Sequence, residues 1–292
     1  MSRFQALGLA GGLALGACAL LSAPLQAAAA EPTRVAEPTR VTRVNGSGSG
    51  LDLMKPLLQA YSASHPEVRV RMDPPLGSSG GMRALLAGAL DIAVISRPIL
   101  PEEEALGARA RPYGRTPLLV VTHRAVGQTN ITTSELEEIY AGKRTKWLDG
   151  QRIRVILRPE QDIDTKLLRG LSPGMEAADI LARKQPWAIV AVTDPESSET
   201  VASAPGAIGA ATLTSMRVTR PALTVLTLDG VEGTAQAVAQ GRYPLAKQFI
   251  FVTMAKAPAP ALAIVEFAFS AEGRAIAEKA GVLLTAPGGH VK

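Results

Sequence analysis

The chain has 292 residues, 47% hydrophobic, 20% charged and only 4% aromatic, with a formal charge of +5. That length buries a real core in one large or two medium units. Basic residues are scattered with no run of five or more, which excludes a nucleic-acid footprint, and so few rings leave little to stack on bases or sugars.

The first thirty residues read as an export signal. Arg3 supplies the positive end, Ala6 to Leu21 the apolar run, and Ala27 to Ala30 the small residues of a cleavage site. A retained anchor would need a longer run with less Gly and Ala. Cys18 follows Leu15-Gly16-Ala17 and is a possible lipid acceptor, but the residues after it stay apolar, so simple cleavage and a periplasmic destination are expected. Cys18 is the only cysteine, so the mature chain would have no disulfide, thiol nucleophile or cysteine zinc site. Residues 31–41 carry a twice-repeated six-residue stretch starting at Glu31 and Glu37, too short for a repeat fold, and are expected to be a disordered leader.

The body alternates helix-like and strand-like segments. Leu51 to Ser64 has helical spacing, with Leu53, Leu57, Leu58 and Tyr61 on one face and Pro56 near its start. Val68 to Met72 alternates as a strand, Gly80 to Leu90 is helical, and Ile92 to Ile95 and Leu118 to Val121 are apolar strands. Thr133 to Tyr140 is a capped helix, Arg152 to Leu157 a strand, and Pro260 to Ala280 two helices joined near Ser270. Strands separated by helices of this length imply mostly parallel sheets flanked by helices.

Three small-residue segments fall where strand ends meet helix starts. They are Asn45-Gly46-Ser47-Gly48-Ser49-Gly50, Gly77-Ser78-Ser79-Gly80-Gly81 and Ser96-Arg97-Pro98. Open α/β folds bind ligands at that edge. A helix start offers unpaired N–H groups and partial positive charge, glycine admits close approach, and serine adds a short hydroxyl donor. Arg158 follows a strand and could grip an oxyanion with two prongs, or simply pair with Glu160 or Asp162. Thr165 opens the next helix and could donate as well.

Gly77 to Gly81 also fits the G-x-S-x-G pattern, with Ser79 as nucleophile of a secreted phosphatase or esterase. Pro74-Pro75 interrupts the approach to that turn, and only His123 and His290 follow it. His65 stands at a helix end, and Trp147 and Trp187 read as packing residues. No paired metal spacing or phosphate-loop motif is present, and no cofactor or metal is expected.

With these segments in hand, residues 43 to 284 resemble the phosphate-binding subunit of phosphate-specific ABC importers and its wider phosphate-binding-like group. The matching stretches are Gly46 to Gly50 with Leu53-Met54, Gly77 to Gly81, Asp91 to Pro98, Ile131 to Gly142, Gly241 to Leu245 and Val265 to Gly273. The resemblance implies a two-lobed, type 2 periplasmic-binding-protein fold. Residues 42–120 with 230–292 would form one lobe and 121–229 the other, with crossings near Leu118 to Thr122 and Leu223 to Leu228. It implies a monomer that captures an inorganic oxyanion, phosphate first, and passes it to an ABC permease in the inner membrane. Carried over, the ligand donors are Ser49, Gly50, Ser78, Ser96, Arg158 and Thr165, and Ser79, next to Ser78, is grouped with the candidate ligand-binding residues.

Two departures stand out. Many phosphate binders place an acidic proton acceptor near Ser96, and the family's Ser-Gly-Thr after the arginine is replaced by Ile163-Asp164-Thr165. Asp164 could take over the acceptor's part, which would bear on discrimination between phosphate and sulfate. A non-transport signalling or surface protein with a decayed pocket is the further alternative.

Overall fold

The computed structural model describes residues 40–186 and 188–286. The export signal, Cys18, nearly all of the leader, Trp187 and His290 lie outside them. The chain begins with β1 (Val41–Gly46), α1 (Gly48–Ser64), β2 (Arg69–Met72), α2 (Gly77–Leu86), β3 (Ile92–Ile95) and α3 (Pro101–Ala105). The long strand β4 (Ala108–His123) leads to β5 (Asn130–Ile131), α4 (Thr133–Tyr140), β6 (Arg154–Leu157), α5 (Ile163–Arg169), α6 (Pro173–Arg183) and β7 (Ile189–Val190). Then come α7 (Asp194–Ser203), β8 (Ala207–Thr212), α8 (Leu213–Thr219), β9 (Leu223–Val225), β10 (Thr227–Leu228) and α9 (Ala235–Ala239). The chain closes with β11 (Ala246–Met254), α10 (Ala259–Phe269), α11 (Ala271–Lys279) and β12 (Leu283–Leu284).

Main sheet order is β2-β1-β3-β11-β4-β8-β6-β7. Each end is parallel, β2-β1-β3 on one side and β8-β6-β7 on the other. The antiparallel pairs all involve the two long strands, β4 and β11, that join the ends. The first half of β4 pairs with β11, and its second half with β8 and β9. This is the two-domain α/β arrangement with flanking helices.

Strand alternation explains the apolar runs. Ile92 and Val94 of β3, with Phe249 and Phe251 of β11, face one core beside α1 and α10. Ala93, Ile95, Ile250 and Val252 face a second, smaller core under α2. Burial on both faces requires an unbroken hydrophobic strand. A third core gathers Leu118 to Val121, Ile131, Ile139, Trp147, Ile156 and Met175. Tyr243 and Leu245, within 230–292, pack into that third core, and Tyr243 donates its hydroxyl to Leu118 O at 3.0 Å. This stretch therefore lines the crossing strand.

Several element limits differ from expectation. Helix α1 starts at Gly48, because Ser47 is its cap and accepts from Gly50 N at 3.2 Å. Pro56 consequently sits well inside the helix and not in its first turn. Helix α2 starts at Gly77 and stops at Leu86, with Gly88 in the left-handed region at φ 71° just beyond. Strand β6 starts at Arg154, and β4 is far longer than its apolar segment, since pairing with β11 carries it back to Ala108. Helix α4 runs over the expected residues, held by a reciprocal cap between Thr132 and Glu135.

Candidate functional site

A cleft of about 220 Å³ lies between the starts of α1 and α2 on one side and the segment after β6 on the other. Ser47, Gly77, Ser78 and Ser79 line the first wall, and Pro159, Asp162, Ile163 and Asp194 the second. Lys247 of β11 reaches its floor.

On the first wall the serines bond to one another. Ser96 donates from its backbone to Ser78 Oγ at 3.0 Å and from its hydroxyl to Ser47 Oγ at 3.0 Å. Ser79 lines the cleft, and no hydrogen bond to a histidine or acid activates it among the described residues. His123 has its Nδ1 accepting from Ala125 N, and His65 sits on Tyr61 O, so neither serves Ser79.

Charge concentrates on the floor and second wall. Lys247 is 1% exposed and donates to Asp194 Oδ1 at 2.6 Å. It also stands 2.9 Å from Asp164 Oδ1, an ion contact without hydrogen-bond geometry. Arg158 donates to Ala191 O at 2.8 Å and to Asp162 at 3.0 Å, and lies 3.7 Å from both Asp164 and Asp194. Asp194 opens α7, and its Oδ2 accepts from Gly48 N at 3.0 Å. Two buried cations thus share three carboxylates.

Those carboxylates are not equivalent. Burial pushes Asp164 up to about 6, against the pull of Lys247. Asp194 is also desolvated, yet Lys247 and Arg158 beside it hold its carboxyl below the usual range. Burial alone would lower Lys247, but Asp164 and Asp194 hold its ammonium charged, above the ordinary value.

The expected site residues fall into three sets. Ser78 and Ser79 line the cleft, Ser96 bonds to Ser78 and Ser47 beside it, and Arg158 and Asp164 belong to the charge cluster that reaches it through Lys247 and Asp194. Gly50 does not offer its N–H, which is spent on the Ser47 cap. Thr165 is likewise committed: its hydroxyl donates to Arg158 O at 3.3 Å and Pro159 O at 3.0 Å and accepts from Arg183. Ser49 Oγ is fully buried and has no hydrogen-bond partner among the described residues. Arg158 follows both readings, paired with Asp162 and facing the cluster.

Lys247 and Asp194 escaped the sequence reading. A lysine in the same strand as the apolar run Phe249 to Val252, just ahead of it, was the available signal for one. An acid directly after the capping residue Thr193 was the signal for the other.

Comparison with known proteins gives this geometry a context. The phosphate-binding protein PstS of Bacillus subtilis strain 168 is 27% identical over 213 residues, 68% of this chain and 66% of that protein. Phosphate-binding protein PstS 2 of Streptococcus pneumoniae TIGR4 is 32% identical over 105 residues, 36% of this chain. That match spans only 35% of the streptococcal protein's length. A structure described as a phosphate ABC transporter substrate-binding protein with bound phosphate, from Clostridium perfringens, superposes with a TM-score of 0.71. It is 20% identical and covers 85% of this chain and all of its own, which establishes a shared fold. The family description "PBP superfamily domain" matches residues 27–272, most of the chain, and the chain belongs to the PBP superfamily.

Proposed function

We propose that this chain is an exported solute-binding receptor that captures an inorganic oxyanion, phosphate first, and delivers it to the permease of an ABC importer. The carrying observation is the convergence of Arg158 and Lys247, both nearly solvent-free, on the Asp194 carboxylate that also takes the Gly48 N–H at the start of α1, behind a cleft lined by Ser47 and Ser78. Guanidinium, ammonium, helix-start N–H and short hydroxyls are the donors that replace water around a small anion. The relatives' names, and the bound phosphate of the Clostridium protein, support the same choice. Asp164, with its raised affinity for a proton, is the candidate partner for the hydrogen of a hydrogen phosphate.

In this reading residues 42–120 with 230–292 and residues 121–229 form the lobes, and β4 carries the hinge. No catalytic role is assigned to Ser79. Calorimetry with inorganic phosphate tests the proposal, with sulfate and molybdate as comparison anions. Arg158→Ala is expected to weaken binding at least tenfold, about 1.4 kcal/mol. Absence of heat with phosphate would remove phosphate as the ligand. Turnover of a chromogenic phosphoester abolished by Ser79→Ala would instead make the protein an enzyme.

A further inference from the structure

We propose that Asp194 is an internal stand-in for the oxyanion, seated on the start of α1, and that an incoming anion must displace its carboxylate. The inference rests on the oxyanion reading of the cleft and adds the residue that competes with the ligand.

Three donors from separate parts of the fold meet on this one carboxylate. Gly48 N reaches Oδ2 at 3.0 Å, Lys247 Nζ reaches Oδ1 at 2.6 Å, and Arg158 Nη2 lies 3.7 Å from Oδ2. A helix start, an ammonium and a guanidinium are the set expected around a bound anion. Here a side chain of α7 occupies it. The fit is close: a Cβ on Gly48 would stand 2.8 Å from Asp194 Cβ and 2.8 Å from its Oδ2.

Two of the residues that surround this seat carry unspent buried donors: Arg158, whose Nη2 faces Asp194, and Ser49, which follows Gly48. Arg158 Nε and Ser49 Oγ are solvent-free and have no hydrogen-bond partner among the described residues, Arg158 Nε lying 3.7 Å from Asp164 Oδ2. A carboxylate brings two oxygens, whereas a tetrahedral oxyanion brings four. The unspent donors are what a larger anion in the same seat would use. An unpaired buried polar group is destabilising, so this arrangement favours exchange of the internal acceptor for a better-matched one.

Asp164 provides the internal control. It contacts the same two cations but, among the described residues, makes no hydrogen bond to the start of α1. If only the number of negative charges near the cations mattered, neutralising either residue would have the same effect on anion affinity. A seat predicts a difference.

The test is titration of inorganic phosphate into wild type, Asp194→Asn and Asp164→Asn, with Asp194→Ser as a second variant should the asparagine fail to fold. Asp194→Asn or Asp194→Ser should bind phosphate at least tenfold more tightly than wild type, and Asp164→Asn should show no such gain. On wild-type protein labelled with ¹³C, saturating phosphate should shift the Asp194 carboxylate resonance. Wild-type binding with no tightening in the Asp194 variants, equal tightening in Asp164→Asn, or an unmoved Asp194 resonance each overturns the stand-in while leaving the oxyanion reading intact. If no variant binds phosphate, sulfate or molybdate, the oxyanion reading itself falls and the stand-in falls with it.

Discussion

Asp194 Oδ2 accepts a 3.0 Å hydrogen bond from the backbone of Gly48, a residue 146 positions earlier in the chain. The contact ties the first turn of α7 to the first turn of α1, and Lys247 reinforces it from β11. It requires a residue without a side chain at position 48, because a Cβ there would meet Asp194 and Pro195 below 3.0 Å. Gly48→Ala is therefore expected to break the contact and destabilise the fold by about 1–3 kcal/mol. Thermal unfolding checks this, and an unchanged midpoint would show that the two turns are not held together.

Lys247 is the centre of the buried charge cluster. Removing it as Lys247→Met leaves Asp164 and Asp194 desolvated and facing each other across the vacated position, at an expected cost of about 3–5 kcal/mol. Adding Asp164→Asn should recover part of that loss, because one uncompensated carboxylate disappears. A double-mutant cycle by urea unfolding measures the coupling. Strict additivity would contradict the shared cation.

The pH dependence of stability should separate the two acids. An unfolded aspartate titrates near about 3.9, whereas burial raises Asp164 to about 6 in the folded chain. Between those values the folded state holds a proton that the unfolded state has released. The contribution of Asp164 thus falls as pH rises through this window. Asp194 has the opposite sign: its folded value is held low, so its contribution is present above the unfolded value and lost in stronger acid. The urea midpoint of Asp164→Asn, relative to wild type, should rise from about pH 4 to about pH 6 and then level off. A constant difference across that range would refute the raised value.

Ser47 both caps α1 and receives the hydroxyl of Ser96. Ser47→Ala removes the cap and is expected to cost about 1 kcal/mol, or about 2–4 °C in Tm for a protein near this size. Ser96→Ala, which leaves the cap in place, should cost less. Equal losses would mean that the Ser96 bond, rather than the cap, carries the stability.

Much of the architecture was legible because local rules coincide with the fold. Strand β3 is an unbroken apolar run because both its faces are buried, and α4 is bracketed by a cap whose two partners are three residues apart. The small-residue segments marked the edge where the cleft forms, since helix starts and strand ends must converge there. The length of β4 was not legible: its first half, with Arg109, Arg111 and Arg115, is a strand because β11 pairs with it.

Within the site, residue type identified Arg158, Ser78 and Ser96 as groups that could face an anion, because their chemistry is local to the side chain. Which hydroxyls and N–H groups are free is not local. Gly50 and Thr165 are spent on neighbours, and Asp194 and Lys247 meet only because α7 and β11 are brought together by the sheet order. The sequence by itself determined the elements and the donors available, through periodicity and side-chain chemistry. The tertiary structure alone decided which donors remain unsatisfied and which acid sits against them, because hydrogen bonds and ion pairs depend on distances that chain order does not set.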